Sequence, residues 1–393
     1  MAEKLADQPM NSSEFRFSEE QQQLRAAVRK FCADNFDESS VRRVMESEVP
    51  FDATVWSRLG AELGVLGLSV PEDDGGVGGS LVDQAVAVEE FGATLATGPL
   101  FGTVYLAVPA LVASSAGEPR DELLAALVEG TTTAAFAVGD KAGVFDPAAV
   151  TVQAAGDTVS GIVERVVDGA AADVILVAAA GSDGVGLYAV DAKDVTRTAL
   201  ATLDLTRPQA TITFAESPAQ LLAGPEDAER VITHALQVGS ALLAVEQVGA
   251  AQHLLDLSVE YAKSRLQFGR QIGSFQAIKH KLADMLVDVE HARSAAYHAV
   301  WALTDGSDDP ALAVSIAQAT ASAALSHVAA DTIQVHGGIG FTWEHQAHLY
   351  FKRATTDAAL LGSAEQHRAR VAEIVLDEAS ADDATRVANG LPV

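Results

Sequence analysis

From Ser18 to about Leu127 apolar side chains recur at intervals of three and four, as in Leu24, Val28 and Phe31, then Trp56, Leu59, Leu63 and Leu66, then Val82, Ala85, Val86 and Phe91. That is the period of an α-helix with one face turned to a core. Pro71–Ser80, with Gly75, Gly76, Gly78 and Gly79, interrupts it and predicts a loop. Near Thr131 the pattern changes to short β-branched runs separated by Gly, Asp and Pro: Val150–Gln153, Thr158–Val163, Val174–Val177, Leu187–Val190 and Ala210–Phe214. These predict a small antiparallel β domain ending near Gly224. From Pro225 the helical period returns in four long runs, at about 228–263, 271–304, 310–336 and 343–379, whose short connections predict an antiparallel bundle. Ser380–Val393 reads as a frayed tail. The expected fold class is α+β, mainly α. It comprises an N-terminal helical domain (1–130), a middle antiparallel β domain (131–225) and a C-terminal four-helix bundle (226–393).

Composition narrows the function classes. A hydrophobic share of 49% against 20% charged describes an ordered globular chain. The formal net charge of −28 disfavours nucleic acid and anionic membrane surfaces as partners. It also means that a site for a phosphate-bearing ligand must gather its cations locally. The one cysteine, Cys32, forbids an intrachain disulfide and fits a reducing compartment. The start, Met-Ala-Glu-Lys-Leu-Ala-Asp-Gln, has no secretory pattern, and no stretch is long enough and free enough of Gly and charge to suggest a membrane span. The reading is a cytoplasmic protein. No Cys/His cluster has metal-ligand spacing, so no metal is expected.

Two stretches carry the chemistry. Arg265-Leu-Gln-Phe-Gly-Arg-Gln-Ile-Gly-Ser-Phe-Gln276, read as lying inside a long helical segment, supplies a cation, an aromatic ring and amides. Gln334-Val-His-Gly-Gly-Ile-Gly-Phe-Thr packs three glycines into four positions, where backbone N–H groups can meet an anion closely. A guanidinium and a glycine turn together suit the diphosphate of a large anionic cofactor. In spacing and order the two stretches resemble the flavin-binding signatures of the acyl-CoA dehydrogenase family. Gly67-Leu-Ser-Val-Pro-Glu-Asp-Asp-Gly-Gly-Val-Gly-Gly79 resembles that family's N-terminal helical domain, and the succession of helical domain, β domain and bundle resembles its architecture.

The resemblance implies FAD as cofactor, an acyl-CoA thioester as substrate, α,β-dehydrogenation as reaction and an electron-transfer flavoprotein as electron acceptor. It implies that Arg265, Phe268 and Gln276, with Gln334, Gly337, Gly338 and Gly340, hold the ADP half of a flavin bound mainly in a neighbouring subunit. It also marks departures. The family's glutamate base should stand at Leu361, in Leu-Leu-Gly-Ser, or in other members at Gly239, and neither is a carboxylate. The hydroxyl-bearing stretch that meets the flavin ring should fall near Ala137, where the chain reads Phe136-Ala-Val-Gly-Asp-Lys-Ala-Gly. The tryptophan that covers the ring should fall near Arg165–Asp168, which has none.

The expectation is therefore a chain that keeps the ADP clamp, has lost the ring pocket and supplies no catalytic residue of its own. In this it resembles the base-lacking subunit of actinobacterial heterotetrameric dehydrogenases of the steroid side-chain type. The alternative is a self-sufficient homotetramer that uses Glu246, on an apolar helix two turns beyond Gly239, as the base. Against that stands a structural role for Glu246, paired with a cation from a neighbouring helix or subunit. The histidines His280, His291, His345, His348 and His367 lack ligand spacing, His336 completes the glycine turn, and Lys279 and Lys281 read as a solvated face. The sequence leaves the acyl group open, whether fatty or steroid-derived.

Overall fold

The computed structural model describes residues 17–141, 143–306 and 308–388. Helix α1 (Glu19–Asn35) opens with a capping box between Ser18 and Gln21. Then come α2 (Glu38–Met45), α3 (Ala53–Leu63), which stops at left-handed Gly64, and α4 (Leu81–Thr94), capped by Ser80. The glycine-rich loop predicted before α4 is present, with one 3-10 turn at Glu72–Asp74. Leu100–Ala107 is wound as a π-helix, every residue of it buried, and runs directly into α5 (Val108–Ala113). Thr103 ties this segment to the β domain: its hydroxyl donates to the Ala134 carbonyl at 3.0 Å and accepts from the Ala134 N–H at 2.9 Å. Helix α6 (Glu118–Glu129) completes the N-terminal part.

The middle part contains β1 (Ala134–Ala137), a small hairpin of β2 (Asp140–Lys141) and β3 (Val144–Phe145), then β4 (Gln153–Ala155), β5 (Thr158–Val167), β6 (Val174–Gly181), β7 (Gly184–Asp191), β8 (Thr196–Ala199), β9 (Gln209–Pro218) and β10 (Gln220–Ala223). Eight of these form one sheet in the order β10-β7-β6-β4-β5-β9-β8, with β1 on β6. The expected antiparallel sheet needs one correction, since both β1 and β4 pair with β6 in parallel. Strand β5 carries a bulge: between Val163 and Val166 it advances one residue more than β9.

The C-terminal part comprises α7 (Ala228–Ser264), a hairpin of β11 (Leu266–Gln267) and β12 (Arg270–Gln271), α8 (Gln276–Asp305), α9 (Pro310–His336), α10 (Ala347–Asp357) and α11 (Ala364–Ala388). Three expectations are corrected. Arg265–Phe275 is not helical but forms that hairpin and a short 3-10 turn. The fourth predicted run is two helices broken at 358–363. The run read as a tail from Ser380 continues α11 to Ala388, and 389–393 lie outside the described residues.

Helix α7 is the axis of the molecule. Glycines let α4 cross it closely: a Cβ on Gly249 would lie 1.9 Å from the Glu89 carbonyl oxygen, and one on Gly92 would lie 2.0 Å from that of Glu246. Contrary to the sequence reading, Ala228–Ser264 and Pro310–Phe341 are long and apolar enough to cross a membrane, yet their apolar windows are 83% and 61% buried inside the chain. Their apolarity serves the core.

Candidate active site and cofactor clamp

A cavity of about 640 Å³ opens where the three parts of the chain meet. The π-helical segment contributes Phe101 and Leu106, the β domain Phe136, Arg165 and Val167, and the α10–α11 turn Leu360 and Leu361. Arg165, Val166 and Val167, in the stretch where the resemblance expects the tryptophan, line this cavity, so open space remains beside them. The turn owes its shape to two left-handed residues in succession, Leu361 at φ 53° and Gly362 at φ 100°. A leucine adopts that conformation at a cost of roughly 1–2 kcal/mol, so other groups must hold it. His367 does so, its Nε2 donating to the Leu361 carbonyl at 2.8 Å. Gly143 packs behind, where a Cβ would come within 2.6 Å of the same oxygen.

Neither position that the resemblance assigns to a base offers one. Leu361 presents an apolar side chain, 6% exposed, to the cavity wall. At Gly239 a Cβ would meet Leu106 Cδ2 at 2.4 Å, so the π-helical segment fills the room that any side chain would need. The carboxylates that line the cavity are Asp140 and Glu164, both exposed and both on the β-domain side. Although the Asp140 side chain reaches solvent, the protein atoms crowded around it partly desolvate its carboxyl and raise the pKa, against the Gly143 N–H that donates to Oδ1 at 2.7 Å.

Glu246 is placed otherwise than the alternative reading required. It lies 3% exposed behind the cavity, among groups from three elements. Its Oε1 accepts from Arg207 Nη2 at 2.5 Å and from Arg353 Nη1 at 2.6 Å. Arg207 Nη1 also reaches Asp357 at 2.9 Å, and Arg353 Nε reaches Asp204 at 2.8 Å. Burial alone would raise the Glu246 pKa, but the two guanidiniums outweigh it and hold the carboxyl low. A carboxylate so paired is a poor proton acceptor. The geometry favours the structural role of Glu246 over that of substitute base, and its cations come from the same chain.

With three carboxylates facing two guanidiniums, the negative surplus falls on Asp357, which burial and its acidic neighbours push upward. Arg207 also lies 5.1 Å over the Phe101 ring, so this network braces the cavity wall. Sequence reasoning missed Arg207, Arg353, Asp204 and Asp357. The one signal was the charge set into otherwise apolar stretches, at Asp204-Leu-Thr-Arg207 and at Arg353.

The clamp residues gather at one end of the bundle. Arg265, exposed, caps the C-terminus of α7. Phe268, at φ 52° and 90% exposed, stands edge-on to Phe275 with ring centres 6.0 Å apart. Gln276 begins α8, Gln334 is exposed in the last turn of α9, and Gly337 follows at φ 63°. A Cβ on Gly337 or Gly338 would enter open space, so the backbone there is accessible, whereas Gly340 packs against His336. Tyr261 stacks on His336 at 4.3 Å and Lys281 pairs with Asp331 at 2.5 Å, joining the ends of α7, α8 and α9. Lys281 is thus paired and not merely solvated. Burial lowers the pKa of His336, His345 and His348, the last to about 4, so the turn's histidines are neutral. None of the seven clamp residues lines the chain's own cavity. An unpartnered guanidinium, amides and open glycine backbone fit a diphosphate.

Among the described residues no cluster of His, Cys, Asp and Glu is suited to a metal ion. Residues 18–131 match the acyl-CoA dehydrogenase N-terminal domain, and residues 229–376 match the C-terminal domain. The acyl-CoA dehydrogenase IpdE2 of Mycolicibacterium smegmatis is 38% identical over 358 residues, 91% of this chain and 99% of the relative. IpdE2 of Mycobacterium tuberculosis is 38% identical over 88% of this chain and 94% of its own. Among solved structures, a chain of a Tcur3481-Tcur3483 steroid ACAD superposes with a TM-score of 0.81 at 30% identity, covering 92% of this chain and 99% of that one. A chain of the ChsE4-ChsE5 complex from Mycobacterium tuberculosis does so with a TM-score of 0.83 at 28% identity and the same coverage. By sequence and by fold the chain belongs to the acyl-CoA dehydrogenase family, FAD-dependent oxidoreductases that act on the CH–CH bond of an acyl-CoA.

Proposed function

We propose that this protein takes part in FAD-dependent α,β-dehydrogenation of an acyl-CoA as the base-lacking subunit of a hetero-oligomer with a homologous dehydrogenase chain. The observation that carries the reading is the pairing of an apolar Leu361 on the cavity turn with a filled Gly239 position, while Glu246 is neutralised by two arginines. The α proton must then be taken by a carboxylate on the other chain. FAD, when bound, supplies the acceptor for the β hydride. This chain's part is to hold: Arg265, Gln276, Gln334 and the N–H groups around Gly337, Gly338 and Gly340 bond the diphosphate, and Phe268 flanks the nucleotide. None of its clamp residues lines its own cavity, as a residue set serving a neighbour's cofactor requires. The structures of a ChsE4-ChsE5 complex and of a Tcur3481-Tcur3483 steroid ACAD, both with chains of this fold, support a two-chain assembly and a bulky acyl group such as a steroid-derived one. Reduced flavin would pass its electrons to an electron-transfer flavoprotein, and the site of action would be the cytoplasm.

The test is the flavin-to-protein ratio of the chain purified alone and after coexpression with its homologous partner. The expected result is a colourless lone chain and a yellow mixed complex with fewer than one FAD per chain overall. Asp140→Asn and Glu164→Gln in that complex should leave turnover unchanged. A yellow, stoichiometric homotetramer of this chain alone would overturn the reading, as would loss of turnover in Asp140→Asn.

A further inference from the structure

Among the arginines whose side chains the structure describes, two have no hydrogen-bond, ion-pair or ring partner: Arg265 and Arg165. In a chain with 54 acidic and 26 basic residues, a guanidinium with no partner of any kind stands out: even Arg43, Arg197 and Arg270, which meet no carboxylate, are held by a hydroxyl, a carbonyl and a ring. Arg265 belongs to the clamp. Arg165 stands some distance along the fold, on the wall of the central cavity.

The backbone singles out the same residue. Arg165 lies in the β5 bulge and has φ 58°, a conformation that side chains other than glycine's rarely adopt. Bulges beside binding sites re-aim a side chain, and strain of this kind persists where the surrounding fold over-determines it. Here the bulge carries Arg165, an exposed residue, onto the rim of the 640 Å³ cavity and also onto that of a second cavity of about 600 Å³ on its other side. Asp140 and Glu164 share the central cavity's wall, and neither forms an ion pair with it. Beyond the rim the wall turns apolar at Phe101, Phe136 and Leu361.

We propose that Arg165 anchors an amphipathic anion, whose apolar body lies in the cavity and whose phosphate or carboxylate is held by the guanidinium at the rim. Planar, always charged and rich in donors, a guanidinium matches either group. An acyl-CoA, with its nucleotide diphosphate, and a free carboxylic acid are the two sources of that chemistry. The inference concerns a ligand of this chain's own cavity and does not depend on which chain supplies the base.

Calorimetric titration of the full chain, and of its mixed complex, with octanoyl-CoA, CoA and octanoate tests it. Arg165→Gln should weaken the bound anion on the order of tenfold or more, Arg165→Lys should retain most of the affinity, and binding should fall with added salt. If octanoyl-CoA binds and octanoate does not, the anchored group is the phosphate. If octanoate binds as well as octanoyl-CoA, it is a carboxylate. Thermal unfolding of Arg165→Gln should match the parent, because the side chain is exposed and without partners. The proposal is overturned if the parent chain binds neither octanoyl-CoA nor octanoate, whether or not it binds CoA, or if Arg165→Gln binds equally well. It is also overturned if that variant changes only the oligomeric state, which would assign Arg165 to a partner's carboxylate. Flavin content is read in parallel, so a failed partner-subunit reading and a failed anion site give different results.

Discussion

At the scale of single residues, buried carboxylates decide the pH response. Asp168 closes β5 against the π-helical segment, its Oδ2 accepting from the Gly102 N–H at 2.8 Å. Burial raises its pKa to about 6, while that N–H, Arg207 and Arg353 oppose the rise. Between about pH 4 and pH 6 the unfolded carboxyl has released its proton and the folded one still holds it. Stability therefore falls as pH rises through that window, by about 3 kcal/mol at most for a shift of this size. Asp168→Asn keeps an acceptor for Gly102 and suits the left-handed φ of 62°. Urea unfolding at pH 4, 5, 6 and 7.5 should show a flatter slope for the variant and a gain of about 1–3 kcal/mol above pH 7; an unchanged slope would refute the assignment. Glu246 has the opposite sign, because its folded pKa is lowered. Its contribution is present above the unfolded carboxylate pKa and is lost as pH falls through the folded value. Glu246→Gln leaves Arg207 and Arg353 buried and underpaired, so it should cost about 3–5 kcal/mol. The rate per folded, flavin-loaded complex should stay the same, which separates a structural carboxylate from a base.

At the scale of elements, the crossing of α4 and α7 sets two physical terms against each other. Glycine in a helix interior costs about 1 kcal/mol relative to alanine, so propensity alone predicts that Gly249→Ala stabilises. The Cβ, however, would lie 1.9 Å from backbone at Glu89, which carries a buried carboxylate paired with Arg25 and Arg293. Overpacking of that kind costs about 1–3 kcal/mol and more when the neighbour is backbone, so the net effect in chemical denaturation should be destabilising by about 2 kcal/mol. The helices themselves were legible because each turns a periodic apolar face to the core. The break at 358–363 was not, since Ala359-Leu-Leu continues that apolar pattern. Its turn depends on His367 and Gly143, which no local pattern announces. The charge network was hidden for a related reason: Arg207 and Arg353 are separated by most of the bundle in sequence and meet only through Glu246. The residues proposed as the clamp sit close together in two short motifs, and the hairpin within the first of them was mistaken for helix.

At the scale of the whole molecule, the cavity and the clamp belong to different faces of one chain. The clamp end exposes Phe268 at 90%, Phe341 at 77%, and Leu266 and Trp343 at 63% each. Apolar side chains gathered on an otherwise strongly acidic surface mark an interaction face. On the proposed reading, a chain whose clamp residues do not line its own cavity completes a site when another chain docks on that face, and closed two-fold symmetry would let each partner present its patch to the other. Arg265 is the test of this division of labour, because it is exposed and unpartnered, and its loss should disturb neither fold nor assembly. A charge-assisted bond to a diphosphate is worth about 1.5–3 kcal/mol, so Arg265→Gln in this chain should weaken FAD retention by the mixed complex roughly 10- to 150-fold. Turnover per bound flavin should not change if, as proposed, the base lies on the other chain. Flavin fluorescence released on dilution measures the first quantity, and turnover at saturating FAD measures the second. Unchanged retention would place the diphosphate entirely within the partner. A fall in turnover at saturating FAD would mean that Arg265 acts on the reacting end of the flavin and not on its ADP half.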